Sequence, residues 1–245
     1  MDTNKTIEIL NLGLIPYRDA WDFQENLLSE KVSEKSKRRI ESDLPFSNHQ
    51  LILCEHPSTF TLGKSGNPSN LLVDEQFLSD HQVDYIKINR GGDITHHGPG
   101  QCVGYPILDL ECFFTDIHRY LRLLEETIIL TLNDFGIESG RFPGYTGVWL
   151  EPDHPQRARK ICAMGIRCSR WITMHGWALN VNNDLTPFEW MVPCGIRDKD
   201  VTSLSRELGQ KVDMSLVHER IVTHFSAMFG ATLMAKERPV SHPLG

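Results

Sequence analysis

Four short segments place residues that can do chemistry on backbone stiffened by glycine or proline. The first is Arg90-Gly91-Gly92-Asp93-Ile94-Thr95-His96-His97-Gly98-Pro99-Gly100-Gln101, with four glycines and a proline in twelve residues. Such a loop follows a tight path, holds its polar side chains together and can approach a ligand closely, although a glycine-rich hairpin connection fits its composition about equally well. It lacks the Gly-Lys-Ser/Thr of a nucleotide-binding loop and no helical pattern follows it, and it does not fit a dinucleotide fingerprint. His96 and His97 should point to opposite faces of an extended chain, and no partner ligands stand at metal-binding spacing, so no metal is expected.

The second segment, Arg159-Lys160-Ile161-Cys162-Ala163-Met164-Gly165-Ile166-Arg167, lies in a stretch, 157–170, with five basic residues (Arg157, Arg159, Lys160, Arg167, Arg170) and no acidic one. That local field is either a charge-defended strand edge, a docking patch for an acidic partner, or a charge supporting a nucleophile. In the third, His175-Gly176-Trp177-Ala178-Leu179-Asn180-Val181-Asn182, the glycine marks a bulge, close packing, or room for an acyl chain or cofactor against the backbone. The fourth is Met191-Val192-Pro193-Cys194-Gly195-Ile196. A cysteine between proline and glycine sits on a constrained turn that can display a thiol and converge N–H groups on an oxyanion, though a lone cysteine is more often a small buried hydrophobe.

Elements must position these segments. The spacing of Ile117, Tyr120, Leu121, Leu124, Ile128, Leu132 and Phe135 predicts a helix over 115–135, opened by Thr115 or Asp116 and stopped at Gly136. Val217, Ile221, Phe225 and Met228 predict another over 215–229, and 19–40 reads as a charge-rich surface helix anchored by Trp21, Leu27 and Leu28. Aliphatic and β-branched runs at 49–54, 83–89, 101–110, 146–150, 159–168 and 171–182 read as strands of one sheet, with 146–182 a meander turning at 151–155. Without regularly alternating helices the expected class is α+β, a mixed, mainly antiparallel sheet flanked by helices. Residues 1–48 and 205–245 are expected to supply helices and surface but no chemistry.

The chain has 245 residues, with 25 Lys+Arg against 32 Asp+Glu, a formal charge of −7. A general nucleic-acid binder would carry a basic excess, so that class is excluded. No run approaches the ~18 apolar residues of a spanning helix, and the start lacks a basic segment followed by an apolar one, so no membrane partner and a cytoplasmic address are expected. Six cysteines in such a chain read as reduced thiols. With no repeat or long linker, residues 1–245 are expected to form a single domain.

Taken in order, the four motifs are similar to those of the lipoyl(octanoyl) transferase family, which moves octanoate from acyl carrier protein onto lipoyl domains. The resemblance rests on Arg90-Gly91-Gly92 with Thr95 and His97-Gly98-Pro99-Gly100-Gln101, on Lys160-Ile161 with Gly165, on His175-Gly176 with Ala178-Leu179-Asn180-Val181, and on Pro193-Cys194-Gly195. It implies the fold of lipoate and biotin protein ligase catalytic domains, with Cys194 as acyl-accepting nucleophile and Lys160 lowering its pKa and exchanging protons. It places Arg90, Gly91, Gly92, Asp93, Ile94, Thr95, His96 and His97, then Ala163, Met164 and Gly165, then Gly176, Trp177 and Ala178, in the substrate-binding loops. The chain departs from the commonest pattern at His96, at Cys162 and in a longer 151–158 turn.

The partners implied are octanoyl-acyl carrier protein as donor, and lipoyl domains of 2-oxoacid dehydrogenase E2 subunits and the glycine cleavage H protein as acceptors. No cofactor is implied, because one thioester exchanged for another of similar energy, followed by aminolysis to an amide, needs no nucleotide. Docking of these acidic partners is expected at Arg157, Arg159, Arg167 and Arg170. The competing readings are an ATP-dependent lipoate or biotin protein ligase, a non-catalytic binder of acyl chains or lipoyl domains, and a thiol protease or amidase whose histidine partner the sequence does not single out.

Overall fold

The computed structural model describes residues 4–41, 44, 47–192 and 200–236. Its main sheet has eight strands, with β1 at Thr6–Leu14, β2 at His49–Glu55, β6 at Gln101–Ile107, β7 at Val148–Leu150, β8 at Arg159–Ser169, β9 at Ile172–Asn180, β10 at Asp200–Val201 and β11 at Thr232–Ala235. The order is β10-β8-β9-β6-β2-β1-β11, with β7 also on β8. Pairing is antiparallel along β7-β8-β9-β6-β2 and parallel for β10 on β8, β2 on β1 and β1 on β11, which is the expected mixed, mainly antiparallel sheet.

Helices cover both faces. On one lie α3 (Ile117–Asp134) and α5 (Met214–Phe229), packed on each other and on Cys102, Ile161, Cys162, Trp177 and Leu179. Asp116 caps α3 by accepting from the Arg119 N–H at 2.9 Å, and its apolar stripe buries Tyr120, Leu124, Ile128 and Leu132. Each such aliphatic side chain stabilises the fold by about 1.5–3 kcal/mol. On the other face lies α1 (Tyr17–Arg38), against Ile52, Val103, Tyr105, Met174 and Ala178. Its inward stripe is largely polar (Gln24, Lys31 and Lys35 beside Ala20 and Leu28), which is why its apolar periodicity is weak. Lys35 meets Asp109 and the Arg170 carbonyl, each at 2.8 Å.

Two expectations need correction. The 83–89 run does not join the main sheet. Its core, β4 (Asp84–Lys87), forms a second, three-stranded sheet in the order β4-β3-β5 with β3 (Thr59–Leu62) and β5 (Ile94–His97). The glycine-rich segment is thus partly a strand. Residues 1–48 and 205–236 also do more than cover the surface, since β1 and β11 extend the main sheet in parallel. Their partners lie tens to hundreds of residues away, so no local turn announces them. Phe60, Leu62, Ile94, Phe188 and Met191 share a small core with the helix α2 (Glu75–Asp80), while Ile86 and Ile88 pack on Tyr17 and Trp21.

Candidate functional site

The two sheets enclose a cavity of about 350 Å³. Its floor follows from strand register. Ala163 pairs with Ala178 and Gly165 with Gly176, so one face of β8 and β9 carries almost no side chain. Two approaches are possible only at glycine. A Cβ on Gly176 would lie 2.2 Å from the Gly104 carbonyl oxygen, and one on Gly165 would lie 2.6 Å from that of Gly91. The second contact lets the 90–93 loop dock on β8, where the Gly91 N–H donates to the Ile166 carbonyl at 3.0 Å.

Arg90 and Asp93 hold that loop. The buried Arg90 guanidinium donates to the Thr61 carbonyl at 2.7 Å, to Thr61 Oγ1 at 3.0 Å and to the Gly91 carbonyl at 3.0 Å. Asp93 Oδ1 accepts from the N–H groups of Asn67 and Ile94, and its Oδ2 from Asn70. Arg90, Gly91, Gly92, Asp93, Ile94, Thr95 and His97 all line the cavity, as do Ala163, Met164, Gly165, Gly176, Trp177 and Ala178. The Trp177 indole itself packs on the helix side, beside Gly104 and Phe225.

The two histidines diverge as an extended chain requires. His96 does not line the cavity. Its ring meets Ser58 Oγ at 2.9 Å and packs on Phe60 and Phe188, so it buttresses the wall from behind. His97 faces inward, and its Nδ1–H donates to Gln101 Oε1 at 2.9 Å. Gln101 in turn donates to Asn180 Oδ1 at 2.9 Å, and Asn180 donates to the Thr202 carbonyl at 3.0 Å. This buried chain of amides ties both sheets to the segment that re-enters after residue 199. Burial, with His56 and Arg90 nearby, holds the His97 pKa well below the ordinary histidine value.

Strict alternation would put Lys160 on the helix side with Cys162. A register shift opposite Val148 and Trp149 inserts Ile161 as a bulge, so Ile161 and Cys162 both enter the helix-side core. Lys160 therefore lines the cavity, its Nζ 4.7 Å from the centre of the Trp149 ring. Re-aiming a side chain beside a site is a recurrent use of bulges. Pro193, Cys194 and Gly195 lie outside the described residues. The chain on either side, Met191 and Val201, lines the cavity, and Val201 pairs with Lys160.

The remaining rim is a loop held by a buried carboxylate. Glu125 of α3 accepts from the Gly147 N–H at 3.0 Å and from Arg141 at 2.9 Å, and Gly144, Tyr145 and Thr146 between them face the cavity. Sequence reading missed Glu125, and it missed Tyr17, Tyr105 and Asn89, which stand in or behind the wall. No motif marks these residues. Gln101 and Asn180 were within reach, since they sit inside the quoted segments.

The expected docking patch needs correction. Arg159 is held bidentately by Glu207 at 2.8 and 2.6 Å and by Glu151 at 2.9 Å, Arg167 pairs with Glu25 at 2.6 Å, and Arg157 lies 3.6 Å from Glu151. Three of the four arginines are thus matched by carboxylates in space, while Arg170 is exposed and touches Ser36 Oγ at 3.5 Å, so the field that the sequence suggests is much reduced. Arg159→Gln is expected to lower stability by about 1.5–3 kcal/mol, read as a fall in Tm, without raising the apparent KM for an acyl donor. Hydrogen bonding from Arg159 holds the Glu207 pKa below its ordinary 4.5. That contribution is complete above the unfolded value and lost as pH falls through the lower folded one, so the Tm gap between wild type and variant should close in acid.

No helix among the described residues is long and apolar enough to cross a membrane. Residues 16–226 match the family described as the lipoyl protein ligase A/B catalytic domain. The chain is 56% identical over 232 residues to a protein named octanoyltransferase from Christiangramia forsetii, covering 94% of this chain and 98% of that one. It is 57% identical over 233 residues to another of that name from Flavobacterium johnsoniae, covering 94% and 100%. Among solved structures, a bipartite lipoate protein ligase from Thermoplasma acidophilum superposes with a TM-score of 0.68 at 15% identity, covering 98% of this chain and 89% of that one. A lipoate-protein ligase A bound with ATP does so with 0.67 at 13%, covering 97% and 90%. Those two likenesses establish the fold, and the sequence identities, with a glycine-floored cavity overlooked by an inward-turned lysine, establish that this chain belongs to the octanoyltransferases of the lipoyl protein ligase A/B catalytic-domain family.

Proposed function

We propose that the chain, as one catalytic domain acting in the cytoplasm, moves an octanoyl group from acyl carrier protein to the lysine of lipoyl domains through a thioester on Cys194. The acceptors in this reading are E2 subunits of 2-oxoacid dehydrogenases and the glycine cleavage H protein. The observation that carries it is the bulge at Ile161, which turns Lys160 toward a cavity lined by Met191 and Val201, each one residue from the described ends that flank Cys194.

In the first half-reaction the Cys194 thiolate attacks the carrier thioester, the carbon–sulfur bond to the carrier breaks, and Lys160 protonates the departing thiolate. In the second the target amine attacks the Cys194 thioester, an amide forms as the carbon–sulfur bond to Cys194 breaks, and the amine's proton passes to Lys160, which restores the ammonium beside the released thiolate. An ammonium close to the thiol favours the thiolate. The Arg90 loop, the Ala163–Gly165 strip and the Gly176–Ala178 strip would hold the acyl chain.

Intact-protein mass after mixing with octanoyl-acyl carrier protein, without nucleotide, tests this. Wild type should gain one octanoyl group that an apo lipoyl domain discharges, and Cys194→Ala should gain none. The other thiols are poor competitors, because burial pushes Cys54, Cys102 and Cys162 well up, Cys112 to about 11, and raises Cys168 as well. An adduct on Cys194→Ala, or transfer only with free octanoate and ATP, would sink the proposal in favour of the ligase reading.

A further inference from the structure

The cavity does not stay on one face of the main sheet. Ala163 and Gly165 form its floor, but Leu121 of α3, on the opposite face, lines it too, as do Met164 and Ile166, which pack toward the helix-side core. It therefore wraps round the outer edge of β8. Gly144 and Tyr145 are exposed at this bend, and Leu121, Met164 and Ile166 are half-buried, so the bend is a mouth.

The hydrogen-bonding groups on that edge follow from the turn that ends the strand. Arg170 and Trp171, at φ of +51° and +66°, form a two-residue hairpin turn between the paired Ser169 and Ile172. The closing pair of such a turn is hydrogen-bonded, and alternation then gives the N–H and C=O groups of Ala163, Gly165 and Arg167 to β9 and turns those of Met164, Ile166 and Cys168 outward. The outward Ile166 carbonyl is taken by the Gly91 N–H at 3.0 Å. Two residues before Met164, Gly147 abuts the Cys162 carbonyl and leaves no room for a Cβ. Met164 lies between these two stops, and its N–H and C=O have no partner among the described residues.

A single free position decides what can pair with it. A protein strand added to a sheet edge gains affinity from a run of main-chain bonds, and Gly91 and Gly147 end the run at one residue. A slender chain with two amides separated by a pair of methylenes needs no more, since the carbonyl of one amide and the N–H of the next can serve one residue. The mouth also adjoins the reacting groups. Lys160 Nζ stands 4.7 Å from the Trp149 ring centre, and the ring of Tyr145, which lines the mouth, is centred 6.0 Å from that of Trp149. We propose that the edge of β8 at Met164 binds the pantetheine arm of the acyl donor, with one arm carbonyl accepting from the Met164 N–H, the next arm N–H donating to the Met164 carbonyl, and Leu121 and Tyr145 covering the methylenes. This rests on the acyl-transfer reading above and adds no step to it.

The test uses unreactive thioethers in calorimetry: S-octylpantetheine, its ester analogue with oxygen in place of the outer amide N–H, and octyl 2-hydroxyethyl sulfide, which ends before the first amide. Wild type should bind S-octylpantetheine about fivefold more tightly than the ester, the worth of one hydrogen bond. Met164→Pro removes only an outward N–H, which an edge strand tolerates, and should cut the advantage of S-octylpantetheine over the short thioether by about fivefold. Tyr145→Ala, which leaves the strand intact, should also reduce that advantage. Octanoyl-pantetheine and its ester analogue should keep the same order in kcat/KM as donors to an apo lipoyl domain. Equal binding of amide and ester by wild type, or no binding of either, overturns the inference. So does a Met164→Pro variant that raises KM for the apo lipoyl domain alone, which would give the position to the acceptor. Failure of transfer from octanoyl-acyl carrier protein while the thioethers keep their order would instead overturn the acyl-transfer reading and leave the arm site standing.

Discussion

Lys160→Ala is expected to lower octanoyl transfer by about 10²–10⁴-fold, the usual loss when a positioned proton-transfer group is removed. It should also move the pH profile of Cys194 alkylation upward, since the thiolate loses the cation that favours it. The structure argues for this through geometry. The bulge at Ile161 gives Lys160 the cavity side, and Trp149 lies beneath its ammonium at 4.7 Å, a contact that attracts the charge and fixes its position. Lys160→Arg separates the two roles. A guanidinium keeps the positive charge but does not give up its proton, so alkylation should stay near the wild-type profile while discharge to a lipoyl domain still falls. An alkylation profile that is the same in Lys160→Ala as in wild type would confine Lys160 to positioning.

Gly176→Ala is expected to cost about 3 kcal/mol or more, the upper end of overpacking penalties, and to lower Tm by about 6–12 °C in a chain of this size. The added Cβ would lie 2.2 Å from the Gly104 carbonyl oxygen and 2.8 Å from Pro106 Cδ. Both belong to β6, the neighbour of β9 in the middle of the main sheet, so neither can swing aside as a flexible side chain would. Folded variant should also transfer less well, because any displacement of β9 tilts the Gly165–Gly176 floor. Gly136→Ala is the comparison. There φ is +75° but nothing lies within 4 Å of the new methyl, so only the cost of a left-handed residue, about 1–2 kcal/mol, applies. Equal losses at the two positions, measured by thermal or urea unfolding, would remove the steric explanation for Gly176.

The sequence left Gly176 open between a bulge, close packing and room for a ligand, and the contacts with Gly104 and Pro106 decide for close packing, whereas much of the architecture needed only the sequence. Seven apolar residues at helical spacing define α3, Thr115 or Asp116 marks its start, and the β7-β8-β9 meander follows from hydrophobic runs separated by a turn. These are local properties, set by side-chain period and by the conformations that glycine, proline and aspartate allow, and they are written within a few residues of where they act. The four motifs likewise mark which segments meet, because glycines and polar side chains on one stretch of chain announce a backbone that others approach.

What the tertiary structure decided is everything that depends on two distant segments meeting. β1 and β11 join the sheet only through parallel partners far along the chain, and β5, from a segment whose glycines read as loop, pairs with the distant β3 in a second sheet. The basic stretch 157–170 loses much of its field to Glu25, Glu151 and Glu207, which pair with Arg157, Arg159 and Arg167 and which no inspection of that stretch reveals. His96 and His97, adjacent in sequence, end on opposite sides of a wall, and a single inserted residue at 161 chooses the side on which Lys160 works. Residue types and their spacing determine which chemistry is available. Charge neutralisation, register and burial depend on distances between atoms brought together only by the closed fold, so only there is it settled which groups face the cavity and in what state of charge.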